Sequence, residues 1–174
     1  QDQKRDSGTP YLEEHIWSMG VKIIEKYLGN SHFKELLICG LLHDSVEDSK
    51  DVSIEQVKAQ FGEEIAAAIR FLTKDDRENS ESLTEIEKYE INKNYVIRLS
   101  ENRLASIIKI EDRLSNLSCI VPTTVGNNLP KYKRYVRETI DVFMPLAQKY
   151  VELGYVEKLT QEINRIKLLI KINE

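Results

Sequence analysis

The chain of 174 residues is short of the residue types that build most other fold classes. It has two cysteines, seven glycines and four prolines, and aromatic residues make up only 7% of it. Cys39 and Cys119 are far apart and match no zinc or redox spacing. They cannot staple a secreted scaffold, and their apolar surroundings read as reduced core positions of an intracellular protein. So few glycines and prolines argue against an all-β chain built on tight turns, and against low-complexity sequence. No run of 18 apolar residues occurs, so no segment is expected to span a bilayer. Gln1 to Thr9 is polar and shows no apolar signal segment, which points to a cytoplasmic protein. With 25 basic against 29 acidic residues the formal charge is -4, which disfavours nucleic acid or an anionic membrane as partner. Histidine is also scarce: there are three.

What the chain does have is helical periodicity almost throughout. Ile16, Met19, Ile23 and Tyr27 form one stripe that ends at Gly29–Asn30, a C-terminal stop signal. Leu36 to Leu42 is apolar nearly all round, as in a helix at the centre of a bundle. Ser53 with Gln56, and Thr84 with Glu87, have the spacing of capping boxes, each opening a helix. Lys74 to Ser82 is polar throughout and reads as a loop. A helix is expected from about Glu101 to Leu117, and Cys119 to Leu129 reads as a connector. Pro130 then opens a long helix stopped by Gly154, and Val156 to Ile170 lines the last one. The expectation is all-α, with roughly seven or eight helices in one domain. No internal repeat or dividing linker is evident.

The segment that carries chemistry is Leu41-Leu42-His43-Asp44-Ser45-Val46-Glu47-Asp48. An apolar helix has no packing reason to end in an imidazole and three carboxylates within six residues. Imidazole beside carboxylate is a metal donor set, and further carboxylates can move protons or orient water. A solvated helix end is the ordinary alternative. His15, at the start of the first amphipathic helix, and Asp112, beside an apolar stripe, extend the pattern. Asp112 and Asn116 are four apart and share a helix face. A buried charge at Asp112 would need a partner such as a metal ion. Each residue alone reads blandly, His15 as a partly buried histidine and Asp112 as a partner of Arg113 or a lysine. The ordered set of four does not.

On these residues the sequence resembles the HD-domain metal-dependent phosphohydrolases. It is most similar to the hydrolase domain of the RelA/SpoT guanosine tetraphosphate enzymes and to the stand-alone small alarmone hydrolases. The resemblance runs from about Lys4 to Tyr150. It is densest in Leu41 to Thr73, where the His-Asp-x-x-Glu-Asp form of His43 to Asp48 is followed by Phe61-Gly62-Glu63-Glu64 and Leu72-Thr73. Lys109 to Asn116, Glu138-Thr139 and Pro145-Leu146-Ala147 match in order. It implies an HD bundle over residues 1–150, with 151–174 left as an amphipathic helix packed on that domain or on a partner. It implies that His15, His43, Asp44 and Asp112 bind one divalent ion, Mn2+ or another transition metal. Glu47 and Asp48 would act on the attacking water and the departing group.

Asn116 would contact the nucleotide, and Arg5 with Ser7-Gly8-Thr9-Pro10-Tyr11 resembles the stretch flanking guanine. The implied reaction removes the 3′-pyrophosphate from guanosine tetra- or pentaphosphate, a small-molecule nucleotide polyphosphate. Lys131, Lys133, Arg134 and Arg137 place four cations within seven residues, and Lys131 and Arg134 are the pair expected to meet the phosphates. A solvated basic face is the plainer reading of any one of them. Two positions depart from the family pattern Pro-Tyr-x-x-His-Pro. Tyr11 to His15 is one residue longer, and Ile16 stands in place of the second proline. Beside the leading reading stand an HD phosphohydrolase for another nucleotide or nucleotide cofactor, and a non-catalytic domain that senses a nucleotide. Only 151–174 lies beyond the match, too little for a synthetase domain, so hydrolysis alone is expected. Oligomeric state is open.

Overall fold

The helical periodicity of the sequence becomes helices. The computed structural model describes residues 10, 12–49, 51–74 and 82–172. Arg5, the Ser7–Thr9 stretch, Tyr11 and most of the polar segment expected as a loop lie outside these residues. Among the described residues there is no strand, and eight helices have eight residues or more. The chain divides into two compact units.

The first unit comprises Gln1–Asp75 and Leu99–Lys109. A π turn, Leu12–Trp17, runs straight into α1, Ser18–Tyr27. Then come α2, Phe33–Leu42, the single turn α3, Ser45–Asp48, and α4 and α5, Ile54–Phe61 and Glu63–Leu72. Ser53 opens α4 with the expected reciprocal bonds: Gln56 N donates to its Oγ at 3.2 Å, and its own N donates to Gln56 Oε1 at 2.8 Å. The stripe read from α1 is the buried one at Met19, Ile23 and Tyr27, α1 packs on α2, where Leu36 and Cys39 are buried, and α2 packs in turn on α5. Burial pushes the Cys39 thiol up to about 12, with Glu64 and Glu35 adding to it, so this cysteine is inert as expected. Gly40 lets α1 and α2 approach closely. A Cβ there would lie 2.2 Å from Ile23 Cδ1, 3.4 Å from Met19 Cγ and 3.7 Å from Ile108 Cδ1.

The second unit comprises Asp76–Arg98 and Ile110–Glu174. It holds most of α6, Glu85–Leu99, opened by the Thr84–Glu87 capping box. α7, Arg103–Ser118, crosses the unit boundary as one unbroken helix. It begins two residues later than the hydrophobic pattern suggests because Asn102 Oδ1 accepts from Ala105 N at 2.9 Å, the bond of an N-cap. α9, Leu129–Glu138, a π turn over Thr139–Phe143 and α10, Met144–Gln148, form the long helix. Pro145 accounts for the π turn: it has no N–H to give to the Asp141 carbonyl, and the helix widens where that bond is lost. Gly154 adopts φ 66°, a backbone that costs glycine little, and α11, Tyr155–Ile172, follows. α11 packs on α8, Pro122–Asn127, and on α9 and α10, with Tyr155, Leu159 and Ile166 fully buried.

Two sequence expectations are corrected here. The stretch read as a connector contains a helix, α8, Pro122–Asn127. Pro122 sits in its first turn, where its fixed φ suits a helix and its missing N–H costs nothing. Thr124 Oγ1 accepts from Val121 N at 3.1 Å. Cys119 is exposed, not a core residue: it follows the end of α7, where the chain leaves the apolar stripe.

Candidate metal centre

The close contact of α1 and α2 sets up the centre. His43 follows the last residue of α2, and its Nδ1–H donates to the Gly40 carbonyl at 2.8 Å. A ring so held presents its Nε2 lone pair outward, the arrangement that metal-ligating histidines use to fix tautomer and orientation. His15 comes from the π turn, and its Nε2 lies 3.1 Å from His43 Nε2, the rings edge to face. Asp44 Oδ2 is 3.0 Å from His43 Nε2 and 3.8 Å from His15 Nε2. Both histidines are 1% exposed and Asp44 is 22% exposed.

This donor set fits a divalent ion. With Nδ1 protonated, a neutral His43 turns one acceptor atom toward another, the Asp44 carboxylate. Only a proton or a cation makes that contact favourable. Donors at right angles around an ion about 2.1 Å away are about 3.0 Å apart, which is the spacing of His43 Nε2 from both neighbours. His15, His43 and Asp44 are thus a group able to hold a metal, their donor atoms all within 4.8 Å of one another.

The neighbouring carboxylates are differently placed. α3 starts beside the pair: Asp48 N donates to the Asp44 carbonyl at 2.8 Å, and Ser45 Oγ donates to the Leu42 carbonyl at 2.7 Å. Glu47 and Asp48 are exposed, and Glu47 Oε2 accepts from Lys74 N at 3.2 Å.

In the second unit Asp112 is 6% exposed, and its Oδ1 accepts from Asn116 Nδ2 at 2.8 Å, as the shared face predicts. Arg113 turns away to Glu138, giving Nη2 to Oε2 at 2.7 Å between the rings of Tyr135 and Phe143. Arg134 completes a chain, with Nη1 to Glu138 Oε1 at 2.6 Å and Nε to Glu85 Oε2 at 2.7 Å. Burial works against the Arg134 charge, but Glu138 and Glu85 hold its pKa above the ordinary value. Lys131 places its Nζ 5.7 Å and 5.8 Å from the rings of Tyr132 and Tyr135. Arg113 is thus a partner of Glu138 and not, as the plain reading of the sequence has it, of Asp112, and the sequence gives no sign of the part that Gly40 plays. The i,i+4 spacing of Arg134 and Glu138 was a visible signal for part of the network. His32 is exposed, the surface residue that a histidine outside the ordered set would be.

Described residues that are helical throughout, in which a histidine–aspartate doublet meets a second buried histidine in a group able to hold a metal, define an HD-type domain. The model of the HD domain matches residues 1–150, and the chain belongs to that family. More particularly, it is homologous to the hydrolase domain of the RelA/SpoT enzymes. It is 34% identical over 147 residues to a probable guanosine-3′,5′-bis(diphosphate) 3′-pyrophosphohydrolase of Synechocystis, covering 84% of this chain and 18% of that one. The Aquifex aeolicus guanosine-3′,5′-bis(diphosphate) 3′-pyrophosphohydrolase is 32% identical over 85% of this chain and 19% of its own length. A GTP pyrophosphokinase of Myxococcus xanthus is 30% identical over 86% and 19%. The chain thus spans about a fifth of these relatives. His15 lies within the π turn Leu12–Trp17.

Proposed function

We propose that this HD domain is a metal-dependent phosphohydrolase that removes the 3′-pyrophosphate from guanosine tetra- or pentaphosphate. The observation that carries the reading is the convergence of His15, His43 and Asp44 around a His43 ring fixed by the Gly40 carbonyl. His15 and His43 bind Mn2+, or a similar divalent ion, through their Nε2 atoms, and Asp44 binds through a carboxylate oxygen. Asp112, buried on α7 and matched in order to the family pattern, is assigned as the fourth ligand. The ion supplies an acidified water and offsets phosphoryl charge.

Glu47, steadied by Lys74 N, takes the proton of the attacking water, and Asp48 returns one to the departing ribose oxygen. Asn116, bonded to Asp112, orients the nucleotide, and Arg5 and Tyr11 flank its base. Lys131 and Arg134 lie about one turn apart on α9 and face the polyphosphate. Arg134 enters with its charge already matched by Glu138 and Glu85.

A second reading, hydrolysis of another nucleotide or nucleotide cofactor, is favoured by the longer Tyr11-to-His15 spacing in the sequence and by Ile16 in place of the second proline. One experiment separates the two. Protein loaded with Mn2+ is incubated with guanosine tetraphosphate, nucleoside triphosphates and nicotinamide dinucleotide phosphate, and the products are identified. Pyrophosphate released from the first alone supports the leading reading. Turnover confined to another substrate replaces it with the second, and no turnover on any substrate counts against both.

A further inference from the structure

We propose that α1 is an interface through which two copies of this chain pair, helix against antiparallel helix, about a two-fold axis between Val21 and Ile24. Among the described residues, the longest run of exposed apolar side chains along one helix lies here. Trp17 just before α1 is 62% exposed, Val21 and Ile24 within it are 52% and 42% exposed, and Leu28 just after it is 72% exposed. At 100° per residue these four fall within about 60° of one another around the helix. Met19, Ile23 and Tyr27 are buried and form a second stripe, about a third of a turn away. Ser18, Lys22, Glu25 and Lys26 take the remaining arc. A surface helix needs one apolar stripe about 100° wide to face its own core. α1 has that stripe buried and another in water. Gly20 joins the outer stripe to α2: with no side chain there, Leu41, 38% exposed, reaches α1, its Cδ2 3.0 Å from where a Cβ would stand.

The face that fits this stripe is a copy of itself. Trp17, Val21, Ile24 and Leu28 are spaced 4, 3 and 4 apart, the spacing of a helix–helix seam and one that reads the same in both directions. A two-fold axis uses one patch twice. In the antiparallel alignment Trp17 meets Leu28 of the other copy, and Val21 meets Ile24. The seam itself holds no charge. The charged residue nearest its edge is Glu25, which comes beside Ser18 of the other copy, an acceptor beside a hydroxyl donor. Lys22 and Lys26 lie on the far arc. With Leu41 the patch measures about 500 Å2, near the upper end for the largest apolar patch of a monomer. Two such patches bury about 1,000 Å2, the size at which a specific interface begins. Tryptophan, here at the end of the seam, is among the residue types on which interface energy concentrates.

The test uses the full chain, and Trp17 is its own reporter because it is the single tryptophan. Sedimentation velocity across the micromolar range, where an interface of minimal size is expected to close, should show the mass doubling with concentration. The Trp17 emission should move to shorter wavelength in step. Val21→Glu and Ile24→Lys should each stay single chains with the parent's helical circular dichroism. Mixed in equal amounts they should pair again, because the antiparallel alignment sets the new carboxylate opposite the new ammonium group. Leu168→Glu, at an exposed position of α11, should pair as the parent does. A parent chain that stays single at every concentration overturns the proposal. Association with unchanged Trp17 emission, or persisting in both charge variants, overturns it too, since another face then holds the copies. A mixture that does not pair overturns the antiparallel alignment. Should a charge variant not fold, the double variant Val21→Ala, Ile24→Ala removes apolar area without adding charge, and parent-like pairing there overturns the proposal.

Discussion

In the second unit a fully buried carboxylate, Glu138, lies between two guanidinium groups, those of Arg113 and Arg134. In the first unit two buried imidazoles and a carboxylate bring acceptor atoms together. The first set is balanced internally: two cations meet Glu138 and the half-exposed Glu85, and such pairs hold elements in register. The second set has donor atoms of the sign that suits a cation. Buried polarity thus serves two purposes in one small chain. Where opposite charges are matched it locks α7 to α9, and where acceptors converge it makes a site.

Removing a member of each set tests the contrast. His43→Ala is expected to have the largest effect: bound metal falls from about one ion per chain to none, measured by elemental analysis, with helical circular dichroism retained. In the parent chain, Mn2+ at 100 times its Kd should add about 2.7 kcal/mol of stability, and in His43→Ala it should add nothing. Stabilisation of both by Mn2+ would remove the site from His43.

Glu138→Ala is next. It leaves two buried guanidinium groups without their shared partner and should cost about 3–5 kcal/mol in urea unfolding. A cost below about 1 kcal/mol would mean that solvent, not Glu138, balances those arginines. Glu85 offers a milder probe. Burial would raise its carboxyl, but the hydrogen bond and charge of Arg134 hold it below the ordinary value of 4.5. Its contribution is therefore full above about pH 4.5 and is lost as pH falls through the lower folded value. The stability difference between the parent and Glu85→Gln should shrink on acidification below that point, and a difference that grows would reverse the assignment. The smallest effects are controls. Ser53→Ala and Thr84→Ala, one in each unit, should each cost about 1 kcal/mol. Equal losses would place the difference between the units in their buried charge and not in their helix ends.

Much of this was legible in the order of residues because it depends on near neighbours. Ser53 with Gln56 and Thr84 with Glu87 are caps three residues apart, and the stripes of α1 and α11 are helical periods. The four-residue offset of Asp112 and Asn116 became a hydrogen bond. Other features were hidden because their causes are distant. Gly40 matters because Ile23 and Met19 approach it from another helix. Arg113 looked like a partner for Asp112 and instead bonds to Glu138, 25 residues away. The stretch expected as a connector holds α8 because Pro122 sits in a first turn, where a proline suits a helix.

By itself, then, the sequence determined a helical chain and the donor types carried by His15, His43 and Asp44, since periodicity, caps and donor types are local properties. Tertiary structure decided which nitrogen of His43 faces His15, because the Gly40 carbonyl takes the other one. It also decided where Arg113 directs its bond. The reason is physical: a side chain's chemistry is written at its own position, but its lone pairs and protons are committed only by the partners that packing brings to it.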